Sequence, residues 1–397
     1  MNKKLITLRD KNIIINKEIN EKNVFKNVNN LNKNVRNYGI DLLRIFAMFN
    51  IIVLHINLVS KELNYNYFSP RFQSIWLSEA MAYWGVNGFG IISGIVGYKK
   101  HKFSNLIFIW IETLFYSTTK SFYYYLKNKT KEGKERLFIS FLPIYIRSHW
   151  YISAYFCMYP FLPIINHGIN NMSRDLLKNV VIILVSFYSI YDMIVTIIIK
   201  KKDFHYLNDG YTPLWLIILY IIGGYLGKYL LSQYKKTKII NHIFWILIYL
   251  CSSFFSYEIF FITLKKIFIS YISPTILIQA ISQILVFSRL SIKNLLLKKI
   301  ISFFTPLTFN ITLIHFELLS GQYYYSKKFR EYFKKLNPKF LFFKTYGLGI
   351  LIYLFCAFID YFRFLLFKIL GVKDFCVLIE NKMPILTQKI LNLFRLL

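Results

Sequence analysis

The chain has 397 residues, 55% of them hydrophobic and 19% aromatic, with 50 Lys and Arg against 19 Asp and Glu and a formal charge of +31. With a mean hydropathy of +0.41, this composition excludes an ordinary soluble domain. In a soluble chain the basic excess would point to nucleic acid. Here much of it lies in short segments between apolar runs and at the two ends, where anionic headgroups and phosphorylated ligands are the expected partners.

Residues 1–37 are rich in Asn, Lys and Ile and lack the apolar core and cleavage site of a signal peptide. They read as a basic, disordered cytosolic tail with too little apolar surface to offset the entropy of ordering. The apolar runs beyond it predict ten transmembrane helices, at about 40–60, 77–98, 103–126, 149–166, 177–199, 212–233, 240–262, 269–288, 301–321 and 344–370. Each is near the ~20 residues that cross ~30 Å of hydrocarbon. Backbone groups in lipid bond internally, and runs such as VVIILVSF lack the period-two alternation of a β-barrel strand. The predicted fold is therefore an all-α polytopic bundle, residues 38–370, followed by a C-terminal cytosolic tail, 371–397. With the amino terminus inside, inner segments carry 24 Lys and Arg and outer ones 19, which places both termini in the cytosol.

The first run opens with Asp41 and Arg44 and carries His55. Eleven residues put Arg44 and His55 ~16 Å apart and within about 20° of one helix face. Ionisable groups inside a span are costly, so they face the bundle and mark a functional path. An imidazole suits a general base, whereas a permanently charged guanidinium suits holding a phosphate or carboxylate. Asp41, three residues before Arg44, can also pair with it in a plain salt bridge. The second run ends in Gly85-Val86-Asn87-Gly88-Phe89-Gly90-Ile91-Ile92-Ser93-Gly94, whose glycines allow close helix approach. Lys99, Lys100, His101 and Lys102 follow, either as a contact for a nucleotide-like donor or as a positive-inside signal alone.

The third run holds Glu112 and the fifth Asp192. Neither has a partner within its own span, so both should face the bundle. The charged connectors 127–148 and 322–343 read as solvated loops or headgroup contacts. Arg147-Ser148-His149-Trp150-Tyr151 opens the fourth run. Its aromatics, like Tyr211 and Trp215 at the start of the sixth, suit either the membrane interface or stacking on a sugar. His315 ends the ninth run, and on this topology His55, His149 and His315 converge on the outer boundary. Glu258 lies within the seventh run; Asp360 and Arg363, three apart in the tenth, should neutralise each other. The four cysteines sit singly, without disulfide or metal-ligand spacing.

At these residues the chain resembles the acyltransferase-3 family, integral-membrane O-acyltransferases of bacterial cell-surface glycans. The resemblance rests on Asp41-Leu42-Leu43-Arg44 with His55 after ten residues, Phe89-Gly90-Ile91-Ile92-Ser93-Gly94, His149-Trp150-Tyr151, the span from Trp215 to Gly224, and Phe309-Asn310-Ile311-Thr312-Leu313-Ile314-His315. It runs from about residue 37 to about 365. It implies a ten-helix domain that takes an acyl group, commonly acetyl, from an acyl-CoA such as acetyl-CoA and delivers it to a sugar hydroxyl of a cell-surface or lipid-linked polysaccharide. The implied catalytic set is His55 and Arg44, with Asp41, His149 and His315 beside them. The implied donor contacts are Arg44, Ser93, Lys99, Lys100 and Lys102, and no metal is implied. Asn87-Gly88 and Gly90 stand where many members have an acidic or larger residue and an aromatic pair, and lysines replace the arginines that follow. A transporter or flippase for a lipid-linked glycan, with the same polar stripe lining a passage and no covalent chemistry, is the alternative reading, and a membrane scaffold is a third.

Overall fold

Proline-marked starts set much of the helix pattern. Ser69, Thr212 and Asn337 each accept a hydrogen bond from a backbone N–H of the turn they cap, and Pro70, Pro213 and Pro338 occupy the first helical position behind them. That position has no intrahelical partner for an N–H, so proline loses nothing there. The computed structural model describes residues 36–64, 66–99, 101–144, 149–199, 205–231, 239–320 and 323–394. Gly39–Leu397 form one unit; of the preceding one, Met1–Tyr38, only the last three residues are described, with Arg36 over the Tyr38 ring. The expected disorder of residues 1–35 lies outside the described residues.

In chain order the longer helices are α1 (Tyr38–Ser60), α2 (Pro70–Ala82), α3 (Gly85–Gly97), α4 (Phe103–Asn128), α5 (Lys131–Ile139), α6 (Trp150–Met158), α7 (Leu162–Asn171), α8 (Arg174–Val185), α9 (Asp192–Ile198), α10 (Pro213–Tyr225), α11 (Ile239–Thr263), α12 (Pro274–Phe287), α13 (Leu295–Phe304), α14 (Thr308–Ser320), α15 (Tyr323–Lys334), α16 (Pro338–Ile369) and α17 (Val372–Phe394). No strand occurs among the described residues, and the fold is an all-α polytopic membrane bundle. Six continuous stretches in them are long and apolar enough to cross a bilayer, and a seventh if α13 and α14, bent by 49°, count as one. The remaining predicted spans are also helical, but α4 is more polar, α12 is short, and the fourth is broken by Pro160 and Pro163 into α6, a 3-10 turn and α7.

Several boundaries differ from the sequence reading. The second span starts at Pro70, seven residues earlier than hydropathy places it, because the Ser69 cap overrides the charge of Arg71. The two connectors read as loops each contain a helix. In α5, Thr130 caps the start by accepting from the Gly133 N–H, and Glu132 and Arg136 pair one turn apart. Residues 372–394, read as a tail, are α17. Its Glu380 accepts from the Phe103 N–H at 2.7 Å, so it caps α4, whose own N-cap residue, Lys102, makes no side-chain cap bond. Those bonds, from Ser104 and the Phe103 amide, hold the Glu380 carboxyl below its ordinary range.

The core is built on α3 and α10. A Cβ added to Gly94 would run into the Tyr220 carbonyl oxygen, and one added to Gly223 into that of Ile91. Only glycine permits backbones so near, as the glycine run in the second span predicts. At the other end of α3, a Cβ on Gly85 would meet the Ala47 carbonyl at 2.8 Å, so α1 is drawn in close as well, though less tightly than α10. Trp215, expected at a rim, is fully buried instead: its Nε1 donates to Asn87 Oδ1 at 3.1 Å, and Asn87 Nδ2 donates to the Tyr271 carbonyl at 2.7 Å. This chain ties α10, α3 and the segment before α12 together.

Buried ions form a second anchor. Arg363 on α16 bonds Asp360 through Nε and Nη2 at 2.9 and 2.8 Å, and its Nη1 lies 2.7 Å from Glu112 Oε1 on α4. Tyr116 donates to Asp360 at 2.6 Å and Asn310 on α14 to Glu112 at 2.8 Å. The expected pairing of Asp360 with Arg363 is present, and Glu112 turns inward to meet the same guanidinium. Asp192 is also buried, whereas Glu258 is exposed near the end of α11.

Candidate active site

The helical periodicity that puts His55 on the inner face of α1 brings it to His315 of α14. His55 Nδ1 and His315 Nε2 are 2.6 Å apart, and His315 Nδ1 is 2.6 Å from the Ile311 carbonyl oxygen one turn back. A carbonyl only accepts, so His315 Nδ1 carries the proton. In a neutral imidazole the other nitrogen is then an acceptor. His55 Nδ1–H therefore donates to His315 Nε2, and the lone pair of His55 Nε2 is left for other partners. His315 is fully buried behind His55.

In front of His55 lies a cavity of about 430 Å³ lined by His55, His149, Glu79, Tyr83, Trp150, Tyr151, Tyr211 and Tyr271, with Met48, Leu54, Val86, Phe89, Thr312 and Phe316 among its apolar and small residues. His149 immediately precedes α6 and approaches through Phe316, whose ring centroid is 5.1 Å from that of His55 and 6.2 Å from that of His149. His55, His149 and His315 are thus brought together around Phe316 and this cavity, His315 behind its wall. At one wall Trp150 and Tyr271 stack with centroids 5.8 Å apart, and Tyr211 lies 4.5 Å from Trp150 and 5.0 Å from Tyr271.

Glu79 was missed by the sequence reading, although it lies in the predicted second span. It faces this cavity and accepts from Asn57 Nδ2 at 2.8 Å. The signal was available: an unpaired carboxylate in an apolar run, like Glu112. Arg44 is not among the lining residues. Its Nη1 bonds Asp41 at 2.9 Å, and Met48, one turn further along α1, forms the cavity wall between it and His55. The unbroken α1 keeps Arg44 on the His55 face with ~16 Å between them.

The expected donor contacts scatter. Ser93 Oγ donates to the Phe89 carbonyl and also bonds Tyr151. Lys99 lies over the Tyr98 ring and Lys102 is exposed before α4, while Lys100 lies outside the described residues. Lys99 stands ten residues past Phe89, about 15 Å along the helix direction. Burial against Tyr159 holds the His101 pKa below its ordinary value. The cavity lining contains no Lys or Arg among the described residues, so it suits an acyl group and a hydroxyl, not phosphates.

A family model for an acyltransferase domain, acyltransferase-3, matches residues 37–361. The chain belongs to the acyltransferase-3 family. Neither a curated protein nor a solved structure matches it. Membership makes the protein a membrane acyltransferase of the class that moves acyl groups other than aminoacyl. The His55 and His315 pair and the cavity in front of it fall inside the matched region. So do all the other named lining residues.

Proposed function

We propose that this acyltransferase moves an acyl group, commonly acetyl, from an acyl-CoA to a sugar hydroxyl of a cell-surface or lipid-linked polysaccharide. It does so in the plasma membrane, with residues 38–370 as the catalytic domain and residues 1–37 and 371–397 on the cytosolic side. The observation that carries this reading is the Ile311–His315–His55 chain, which leaves one imidazole nitrogen with a lone pair beside a cavity sized for two small reacting groups.

In the proposed reaction His55 Nε2 takes the proton of the acceptor hydroxyl as its oxygen attacks the thioester carbonyl carbon. The C–S bond breaks, and the imidazolium returns the proton to the departing thiolate. His315 holds the ring and shares its positive charge, and Glu79 adds a carboxylate facing the same space. His149, which lines the same cavity, assists at the acceptor hydroxyl. Arg44, positioned by Asp41, holds the donor or a charged intermediate, and Lys99, Lys100 and Lys102 receive donor phosphates.

Transfer of label from acetyl-CoA to glycan by the purified protein tests this. His55→Ala is expected to lower the rate by roughly 10²–10⁴-fold without changing the folded state. A folded variant with full transfer removes the imidazole from the mechanism, and a wild type that moves glycan without releasing free coenzyme A favours the flippase.

A further inference from the structure

Beside the His55 cavity lies a second, of about 620 Å³, and Tyr83 and Tyr211 line both. Its walls come from α9, the turn before α10 and the segment between α11 and α12. Asp192 is buried at 2% exposure, whereas Asp209, Lys265 and Lys266 are exposed. Ser189 and Ser270 add hydroxyls. The backbone is shaped here to aim side chains: Ser186–Tyr191 winds as a π-helix that ends at Asp192, a distortion found often at functional sites. Asn208 and Asp209 sit in the left-handed region at φ 48° and 54°, which Asn and Asp tolerate better than other side chains, and the Tyr271 N–H bonds the Asp209 carbonyl at 3.1 Å.

Building on the proposed transfer to a sugar, we infer that this second cavity binds the acceptor saccharide and presents one hydroxyl to His55 across the threshold formed by Tyr83 and Tyr211. Sugar hydroxyls donate to carboxylates and exchange hydrogen bonds with Ser and Tyr hydroxyls, and the tyrosine rings offer flat apolar faces. The coenzyme end of the donor is the poorer occupant: the cations of the lining, Lys265 and Lys266, stand at the exposed rim, and phosphates inside would face the buried Asp192, with Asp209 and Glu79 nearby. The volume falls in the range of small-molecule sites. Asp192 forms the buried floor, and the lysines stand at the rim.

The test uses the full-length protein in detergent, labelled acetyl-CoA, and oligosaccharides released from the surface polysaccharide of cells lacking the protein. Binding of the oligosaccharides is measured by equilibrium dialysis without donor, and transfer is measured separately. Asp192→Asn and Lys265→Gln, at an exposed lining residue, are expected to raise both the dissociation constant and the acceptor concentration for half-maximal transfer about tenfold, leaving the KM for acetyl-CoA within about twofold. If both variants bind and transfer like wild type, the site is overturned while the transfer reading stands. A shift in the acetyl-CoA KM alone reassigns the cavity to the donor and also overturns it. If the wild type binds and the variants bind weakly, yet no label moves to sugar, the site stands and the transfer reading falls. A wild type that neither binds nor transfers overturns both.

Discussion

His315 touches only protein, yet it determines which His55 nitrogen carries the proton. Replacing it with Leu leaves the His55 N–H without its acceptor in a buried setting, a cost of about 1–3 kcal/mol that also frees the ring to turn. His315→Leu is therefore expected to lower kcat by about 10- to 100-fold, whereas His315→Gln, whose amide can accept from His55 and donate to Ile311, recovers much of the rate. Steady-state kinetics on the pair check this; equal losses would show that the second imidazole only fills space. Arg44, His55, His149 and His315 were legible in the sequence because charge and imidazole are rare in apolar runs, and helix periodicity with span order sets their depth. The contact between His55 and His315 was not, since it depends on how two helices 260 residues apart pack. Glu79 stayed hidden because the second span was taken to begin at residue 77, which put Glu79 at a boundary where a carboxylate passes for a headgroup contact. Trp215 followed the interfacial preference of its residue type, which the Asn87 hydrogen bond overrides.

At the scale of elements, the glycines of α3 and α10 make the sharpest forecast. Gly94→Ala pushes a methyl into the Tyr220 carbonyl and must part the two helices, with an expected loss of at least about 1–3 kcal/mol. Gly347→Ala on α16, where no atom lies within 4 Å of the added carbon, is expected to stabilise by ~0.5–1 kcal/mol through helix propensity. Thermal unfolding in detergent distinguishes them, and matching shifts would mean that the α3–α10 contact is looser than described. Close packing of α3 was readable in the sequence from its glycines, but its partner α10 was not. Helix starts were readable too, in Ser69-Pro70 and Asn337-Pro338, but apolar content was weighed above capping, so the spans there were drawn too late. The π-helical segments Ser186–Tyr191 and Leu226–Leu230 carry no sequence signal, because a widened turn differs from an ordinary one only in its hydrogen-bond partners.

For the whole molecule, the ion cluster of Glu112, Asp360 and Arg363 joins α4 to α16 and, through Asn310, to the helix that carries His315. Arg363→Met strands two carboxylates and is expected to cost about 3–5 kcal/mol, whereas Glu112→Gln, which keeps the cluster's shape and leaves one carboxylate facing one guanidinium, is expected to cost far less. Chemical or thermal unfolding that ranks the two the other way would assign Glu112 the dominant role. The predicted bundle of helices agrees with the fold at this scale. Ten crossings were predicted, and six or seven stretches among the described residues are long and apolar enough; the other predicted spans are more polar, short or broken at prolines.

The tight seams at Gly94 with Gly223 and at Gly85 with Ala47 press main chain against main chain on two flanks of α3, leaving no width there for a slender thioester to slip through. The junction of α1 with α14 is different. There the Met48 sulfur receives the Thr312 hydroxyl at 3.2 Å, so a flexible thioether rather than a peptide stands between the Arg44 end of the stripe and His55. A side chain can swing aside where a backbone cannot, so any path from the Arg44 end to His55 has to open at Met48 rather than at the glycine seams.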